Sequence, residues 1–251
     1  MLHDERRKTE RRFWDGTHSS RVRLRLPSPL NIGVANIIRL LRPHVRAGDK
    51  VLEIGFAPGK QLAHLARAWG ARVSGLDYSP PGITQARDLF AHLGLDGDLR
   101  CEDLFASSFP DQSFDVVYSL GLIEHFDNPA VAVERHYRFV KPGGRLVIAI
   151  PNYGGLYGKT QGIMDRANLA IHNLEIMNLD AMRRLADGLD CARLDAYPFG
   201  RFSPWLISFE TRMPRLLALG IASAGNLLGL AQPVDIGPLS PLLVLELTRS
   251  A

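Results

Sequence analysis

The chain has 251 residues, 46% of them hydrophobic, which is enough to bury one substantial core and argues against disorder and against a membrane-embedded fold. Its formal net charge of +4 lies in residues 1–25, where eight Lys or Arg face four Asp or Glu, and the rest of the chain carries 22 of each sign. A neutral body with a short basic arm lacks the basic groove of a nucleic-acid-binding protein, so we expect no nucleic-acid partner.

Cysteine content and the N-terminal sequence indicate the compartment. The two cysteines, Cys101 and Cys191, are too few for a disulfide framework and lack the C-x-x-C spacing of a zinc site. Charged residues from Asp4 to Arg12 occupy the position where a signal peptide has its apolar segment. We therefore expect a cytoplasmic protein.

The first predicted unit is residues 1–44, an N-terminal arm followed by a helix. Phe13 and Trp14 are large aromatic residues in a polar arm, and we expect them to cover a surface, either over a ligand or on the outside of the domain. From Asn31 to Leu41 the apolar residues follow a helical period. The remainder, residues 45–251, is predicted to form the main domain.

The central segment is a predicted strand, Val51 to Ile54, that runs through a glycine turn into a predicted helix, Lys60 to Trp69. Such a turn lets a ligand approach the unpaired N–H groups of a helix N-terminus. The dinucleotide fingerprint G-x-G-x-x-G would need glycines at Ala57 and Lys60. A P-loop would need one more residue between its glycines and a Ser or Thr at Gln61. Both patterns fail, and the pattern E-x-G-x-x-x-G remains.

Four more short apolar strands are predicted, alternating with helices. They are Val73 to Asp77, Leu99 to Asp103, Phe114 to Ser119, and a strand that begins at Arg145 after the turn Lys141 to Gly144. This alternation indicates right-handed βαβ crossovers and a parallel sheet. In such a sheet the ligand crevice lies at the carboxyl ends of the strands. The residues at those ends are Gly55, Asp77, Asp103 and Gly121.

In their order and spacing these five segments resemble the class I S-adenosylmethionine (SAM)-dependent methyltransferases, whose first motif is similar to Val51 to Gly59 of this chain. The resemblance covers about residues 45–153, with a looser match beyond. It implies an α/β fold, a doubly wound Rossmann-like seven-stranded sheet with helices on both faces and a helical cap. The final strand, Leu242 to Leu247, would lie antiparallel beside the fifth. One departure is Ala57, followed by Pro58, where the family commonly has a glycine.

The resemblance implies SAM as the cofactor and S-adenosylhomocysteine as its product. Asp77 is expected to bind the ribose hydroxyls, and Asp103 is expected to border the adenine. Gly121 is expected to pass beneath the sulfonium, and Glu53 to support the glycine turn and the amino-acid end of the cofactor. The full set of expected cofactor-binding residues is Glu53, Gly55, Phe56, Ala57, Gly59, Asp77, Tyr78, Ser79, Asp103, Leu104, Gly121 and Leu122.

His125, with Glu124 beside it, is the expected catalytic group. It follows the fourth strand, where the family has groups near the transferred methyl, and the unperturbed pKa of histidine suits a general base at neutral pH. A histidine that only holds the loop is the alternative. Some quinone-biosynthesis methyltransferases bind a metal through such a Glu-His pair and another acid three residues before the glutamate. Gly121 stands at that position here, so we expect no metal site.

Two later segments, residues 154–178 and 201–239, are expected to cap the active site. The expected substrate-binding residues, as walls of the pocket, are Trp14, Tyr153, Tyr157 and His172. Leu216 to Ala231 contains no charged residue and is shorter than the about 20 residues that a membrane-spanning helix needs. It is either a set of capping helices or an apolar lid that contacts a lipid-like acceptor or a bilayer surface.

Three functions follow as hypotheses. The leading one is transfer of a methyl group from SAM to a small-molecule acceptor. The second is methylation of a quinone, glycolipid or other apolar acceptor at a membrane surface. The third is a SAM-binding sensor or partner subunit that has lost catalysis. The sequence leaves open the acceptor, the methylated atom and the oligomeric state.

Overall fold

The structure, a computed structural model, describes residues 7–19 and 23–251. Residues 1–6 and 20–22 of the predicted N-terminal arm lie outside the described residues. The strands are β1 (Lys50–Ile54), β2 (Arg72–Asp77), β3 (Asp98–Cys101), β4 (Phe114–Leu120), β5 (Val140–Pro151), β6 (Cys191–Phe199) and β7 (Leu242–Arg249). The α-helices of the described chain are α1 (Arg11–Thr17), α2 (Ile32–Leu41), α3 (Lys60–Trp69), α4 (Pro80–Leu93), α5 (Pro129–Phe139), α6 (Leu156–Met164), α7 (Arg166–Ala170), α8 (Leu179–Arg184) and α9 (Arg215–Ala231).

The strands form one seven-stranded sheet in the order β3-β2-β1-β4-β5-β7-β6. Strands β1 to β5 pair in parallel with their neighbours, and β7 lies antiparallel between β5 and β6. The predicted doubly wound, Rossmann-like fold with its last strand antiparallel is therefore confirmed. The order reverses between β1 and β4, and this switch point opens a crevice at the carboxyl ends of the strands.

Both faces of the sheet are covered, because successive side chains of a strand point to opposite faces. On β1, Leu52 and Ile54 belong to one core cluster, and Val51 belongs to the other. Helix α3 places Leu62 and Leu65 in the second cluster. The two clusters hold the strand ends of the crevice in fixed positions.

Two predicted elements differ in detail from the structure. The expected cap segment 154–178 contains two consecutive helices, α6 and α7, because the Asp165 side chain accepts a hydrogen bond from the Asn168 backbone N–H at 3.0 Å and starts a new helix. The turn expected at 141–144 lies inside β5, where the pairing with β4 shifts register after Val140. The regular pairing resumes at Arg145, the predicted start of the strand.

The uncharged segment forms α9, which packs on α2 and on residues 202–204. A Cβ atom on Gly229 would lie 2.1 Å from the Phe202 carbonyl oxygen and 2.8 Å from Ile32, so this contact requires glycine. Asn226 fixes the contact by accepting a hydrogen bond from the Ile32 N–H at 2.8 Å. In the part of the chain that the structure describes, none of the helices has the length and hydropathy of a membrane span.

Candidate active site

The glycine turn between β1 and α3 forms the floor of the crevice. Gly55 has a φ of 74°, a conformation that favours glycine, and its N–H donates to the Leu76 carbonyl at 2.7 Å. Gly59 has a φ of 83° and precedes α3 as its N-cap residue. A Cβ on Gly59 would lie 3.0 Å from the Ala86 Cβ, so glycine also lets α3 and α4 approach each other. The turn thus exposes backbone toward the crevice.

Asp77 joins the end of β2 to this turn. Its two carboxylate oxygens accept hydrogen bonds from the Ala57 N–H at 3.1 Å and the Ser79 N–H at 2.9 Å. Burial raises the pKa of Asp77, and these backbone hydrogen bonds act in the opposite direction. Ser79 caps α4 and donates through its hydroxyl to Asp15 of α1 at 2.7 Å.

Glu53 lies beneath the turn, 4% exposed. Its carboxyl accepts a hydrogen bond from the Tyr118 hydroxyl at 2.8 Å, which links β1 to β4. Burial raises the pKa of Glu53 to about 8. Glu53 therefore supports the turn from below.

A cavity opens above the strand ends. Nine of the sequence-predicted site residues line it: Trp14, Gly55, Ala57, Asp77, Tyr78, Leu104, Gly121, Leu122 and His125. The predicted residues Glu53, Phe56, Gly59, Ser79 and Asp103 are absent from the lining. Phe56, for example, is 3% exposed and its ring packs in the core against Gly75, where a Cβ atom would lie 2.7 Å from the ring.

Several lining residues carry no signal in the sequence. They are Arg7, Thr9, His18, Glu102, Leu120 and Phe126. Glu102, one residue before the predicted Asp103, lines the cavity after β3, and its carboxylate accepts hydrogen bonds from the Ser107 and Ser108 hydroxyls. Successive side chains of a strand point to opposite faces, so an error of one residue in the predicted strand end selects the wrong side chain.

Arg7 fastens the N-terminal arm across the cavity. Its guanidinium pairs with the Asp103 carboxylate and lies 4.7 Å from the centre of the Tyr78 ring and 5.4 Å from that of Phe126. Next to it, the Lys8 N–H donates to the His125 carbonyl at 2.8 Å. Asp103 is therefore engaged by the arm. No local pattern could reveal this contact, because Arg7 is one of many charges at the start of the chain.

Trp14 and His125 line the opposite end of the cavity, and the His172 ring packs against that of His125. The rings of Trp14 and His125 meet edge to face with centroids 5.1 Å apart, and those of His125 and His172 are 4.7 Å apart. The His125 Nδ1 is 3.0 Å from the Ile171 carbonyl oxygen. A carbonyl can only accept, so this nitrogen carries the proton and Nε2 has a free lone pair.

Glu124 lies behind this wall and is fully buried. Burial raises its pKa to about 8, while burial and then the charge of His172 lower the pKa of His125 to about 4. Burial also lowers the pKa of His172. At pH 7 the carboxyl is protonated and His125 is neutral, so the 3.9 Å contact between His125 Nε2 and Glu124 Oε1 is not an ion pair.

Three predicted wall residues, His172, Tyr153 and Tyr157, lie outside the cavity lining. Tyr153 is 8% exposed and contacts His172 from behind, with ring centroids 5.2 Å apart. Tyr157 is 1% exposed; its hydroxyl donates to the Leu239 carbonyl at 2.9 Å and accepts from the Ser203 N–H at 2.9 Å. The expectation that Tyr157 borders the substrate is therefore corrected, since its phenol is used to hold the cap together.

Comparisons with known proteins agree with this geometry. Residues 52–148 match the model of the family described as "Methyltransferase domain". The chain is 37% identical to the 2-methyl-6-phytyl-1,4-hydroquinone methyltransferase of Synechocystis sp. over 102 residues, which cover 41% of this chain and 32% of the relative. It is 32% identical to the ubiquinone biosynthesis O-methyltransferase of Pseudomonas entomophila over 108 residues, which cover 42% of this chain and 46% of the relative.

Among solved structures, the phosphoethanolamine N-methyltransferase 2 of Haemonchus contortus, in complex with phosphomonomethylethanolamine and S-adenosylhomocysteine, superposes with a TM-score of 0.61. The superposition covers 87% of this chain and 53% of that chain at 19% sequence identity, and it establishes the likeness of fold. The aligned regions span about a third to a half of the length of these relatives. In its fold, its glycine turn and its matched segment, the chain is similar to the class I, SAM-dependent methyltransferases.

Proposed function

We propose that the chain binds SAM in the cavity and transfers its methyl group to a small-molecule acceptor. The observation that carries the proposal is the cavity itself. The glycine turn and Asp77 line one end, and His125 and Trp14 line the other, with Gly121 between them. This spacing suits a cofactor at the strand ends and an acceptor under the N-terminal arm.

The chemistry requires positioning more than acid–base assistance. The sulfonium of SAM makes its methyl carbon electrophilic. As the acceptor atom attacks, the carbon–sulfur bond breaks and its electron pair stays on sulfur, giving S-adenosylhomocysteine. Holding the two reactants in line and excluding water supplies much of the rate enhancement. A base is needed only where the acceptor loses a proton.

The cofactor roles follow from the contacts of each residue. Asp77 is half-buried and its carboxylate faces the cavity, which suits the paired hydroxyls of a ribose. Leu104 and Glu102 border the adenine position, while Asp103 acts through Arg7 on the arm. Glu53, Phe56, Gly59 and Ser79 keep the turn and the first residues of α3 and α4 in place.

His125 is the proposed acceptor-side catalytic residue, with Glu124 behind it. Its ring is neutral at pH 7, and its Nε2 can accept a hydrogen bond from a hydroxyl or amine. Trp14 and His172 contact the His125 ring from two sides and fix its orientation. The acceptor contacts of Tyr153 are indirect, through His172.

Transfer of labelled methyl from SAM into a host-cell metabolite extract tests the function. We expect enzyme-dependent label, recovered after partition into aqueous or organic solvent, and its loss when Asp77 is replaced by alanine. SAM binding without label in either phase would favour the sensor hypothesis. No SAM binding at all would refute the proposal.

A second candidate function, methylation of an apolar acceptor at a membrane surface, is favoured by the outer face of α9. Leu216 is 84% exposed and Leu227 is 67% exposed. They are about three helical turns apart and point to the same side. Two relatives also carry the names of enzymes that act on a phytyl hydroquinone and in ubiquinone biosynthesis. Large exposed apolar patches mark contact surfaces for proteins or membranes.

Sedimentation with phospholipid vesicles tests this second function. The full chain is expected to sediment with the vesicles, and the double variant Leu216→Gln/Leu227→Gln is expected to stay in solution. Ile163→Gln serves as control, since Ile163 is 62% exposed but lies on α6. Equal sedimentation of all three proteins would remove α9 from membrane contact, and label confined to the aqueous phase would argue against an apolar acceptor.

A further inference from the structure

Three side chains with metal-ligating atoms converge beside the cavity wall: Glu124, His125 and His172. One ligand atom from each lies within 4.8 Å of the others, and His125 Nε2 is 3.9 Å from Glu124 Oε1. Two atoms bound to one cation at about 2.0–2.2 Å each are at most about 4.2–4.4 Å apart. Three atoms that share one ion at tetrahedral angles lie only about 3.3–3.6 Å apart, so the groups need to close by at most about 1.5 Å to share one ion.

The Glu124 carboxyl is the group that most requires a partner. It is fully buried, and neither of its oxygens accepts a hydrogen bond from another residue. Burying such a group without a partner is unfavourable. A Cβ on Gly121 would lie 3.5 Å from Glu124 Oε1, so the carboxyl lies next to a glycine that lines the cavity. A bound cation would satisfy it.

The two imidazoles are oriented in the way metal-ligating histidines are oriented. The Nδ1 of His125 lies 3.0 Å from the Ile171 carbonyl oxygen, and that of His172 lies 2.8 Å from the Asn168 carbonyl oxygen. Each Nδ1 therefore carries the proton, and each Nε2 presents a lone pair. Such hydrogen bonds to backbone carbonyls fix the tautomer and the ring direction of metal ligands.

We propose that Glu124, His125 and His172 bind one divalent transition-metal ion, of the Zn²⁺ or Fe²⁺ class, at the acceptor end of the cavity. Two imidazoles and one carboxylate suit these ions better than Mg²⁺ or Ca²⁺. Three protein ligands leave coordination positions open. His125 lines the cavity, so with the metal bound an oxygen atom of the acceptor would fill one of them in place of a direct hydrogen bond to His125 Nε2. This last point rests on the proposed function; the metal site does not.

The site differs from the sequence expectation of no metal. That expectation considered the position three residues before Glu124, which Gly121 occupies. The third ligand, His172, comes instead from the end of α7, far along the chain. The Asn173 N–H donates to the Glu124 carbonyl at 2.6 Å and brings that helix end to the loop after β4.

Metal binding is tested first on the full chain, stripped with a chelator and dialysed against Zn²⁺ or Co²⁺. We expect about one ion per chain and a visible Co²⁺ absorption spectrum of low-symmetry nitrogen–oxygen coordination. We expect Glu124→Gln and His172→Ala to lower the affinity by at least 10- to 100-fold. The control is His92→Ala, an exposed histidine of α4, which should bind as the unaltered chain does. Binding of less than a tenth of an ion by the unaltered chain, or unchanged affinity in both ligand variants, overturns the site.

A measurement on the unaltered chain keeps the proposal testable if a variant fails to fold. Loaded with Cu²⁺, which binds such sites tightly, the chain should show two coordinated imidazoles by pulsed electron paramagnetic resonance. One imidazole or none overturns the assignment. SAM affinity is measured on the same samples. SAM binding without metal refutes only the metal site, and metal binding without SAM binding refutes only the proposed function.

Discussion

The two ends of the cavity are built in different ways. The cofactor end consists of residues at adjacent strand ends, within β1, β2 and β4 and the turns that follow them. The acceptor end is assembled from the N-terminal arm, the loop after β4 and the end of α7, which meet only in the folded chain. One end is thus set by contiguous sequence, and the other depends on how distant segments dock.

The carboxyl groups at the two ends differ in whether the protein itself supplies their hydrogen-bond partners. Asp77 is satisfied by two backbone N–H groups before any ligand arrives. Glu124 has no such partner. The first end is preorganised for a cofactor, while the second holds a buried carboxyl whose stabilisation depends on what binds there.

The largest expected effect concerns the docking of the cap. Gly229→Ala would push a methyl group against the Phe202 carbonyl, which as backbone cannot move cheaply. We expect a loss of about 1–3 kcal/mol or more in the free energy of unfolding, measured by urea titration. Gly220→Ala, on the same helix, meets nothing within 4 Å and should be neutral or stabilising by up to about 1 kcal/mol. Equal stability of the two variants would contradict the described packing of α9.

A change at the cofactor end comes next. Asp77→Ala removes the carboxylate that holds the Ala57 N–H and faces the cavity. SAM binding is expected to weaken by on the order of 1–3 kcal/mol, or roughly 5- to 150-fold, in calorimetric titration. Asp88→Ala, at an exposed position of α4, is the matched control. Unchanged affinity in Asp77→Ala would remove this residue from the site.

The pH dependence of stability sharpens the comparison. The folded-state pKa of Glu53, about 8, is above its unfolded value near 4.5. The protonated carboxyl therefore stabilises fully below pH 4.5, and this contribution falls as the pH rises to about 8. Without ligand, Glu53→Gln should match the unaltered chain near pH 5 and be more stable by more than about 1 kcal/mol near pH 8.5. Glu124 titrates in both proteins, so its effect cancels. A difference that does not change with pH would show that Glu53 is ionised in the folded chain.

The smallest effect separates helix capping from docking of the arm. Ser79→Ala and Asn31→Ala each remove an N-cap side chain, and each should cost about 1 kcal/mol of stability. The Ser79 hydroxyl also donates a hydrogen bond to Asp15 of the arm. Asn31 caps α2 and is not among the residues that line the cavity. We expect only Ser79→Ala to weaken SAM binding, by about two- to fivefold. Equal SAM affinities would show that the arm does not contribute to holding the cofactor.

Most of the fold was predictable because its signals are local. The bounds of α3 match the predicted helix, Lys60 to Trp69, because a glycine stands directly before its start and another directly after its end. The acceptor end was less accessible. Whether the Tyr157 ring faces the cavity depends on the phase of α6 after a glycine-rich loop, which no pattern fixes. The contacts of Arg7 and His172 cross long sequence separations, where composition and spacing carry no information.

The arm that crosses the cavity also sets an order of events. Because Arg7 spans Asp103 and the Tyr78 ring, and Asp15 is tied to Ser79, we expect these contacts to open when a nucleoside enters or leaves the cavity. Entry and departure are therefore coupled to the breaking of one ion pair and one hydrogen bond. Salt screens the ion pair, so the exchange of substrate and product in this chain should run faster as ionic strength rises, even where the chemical step is unaffected.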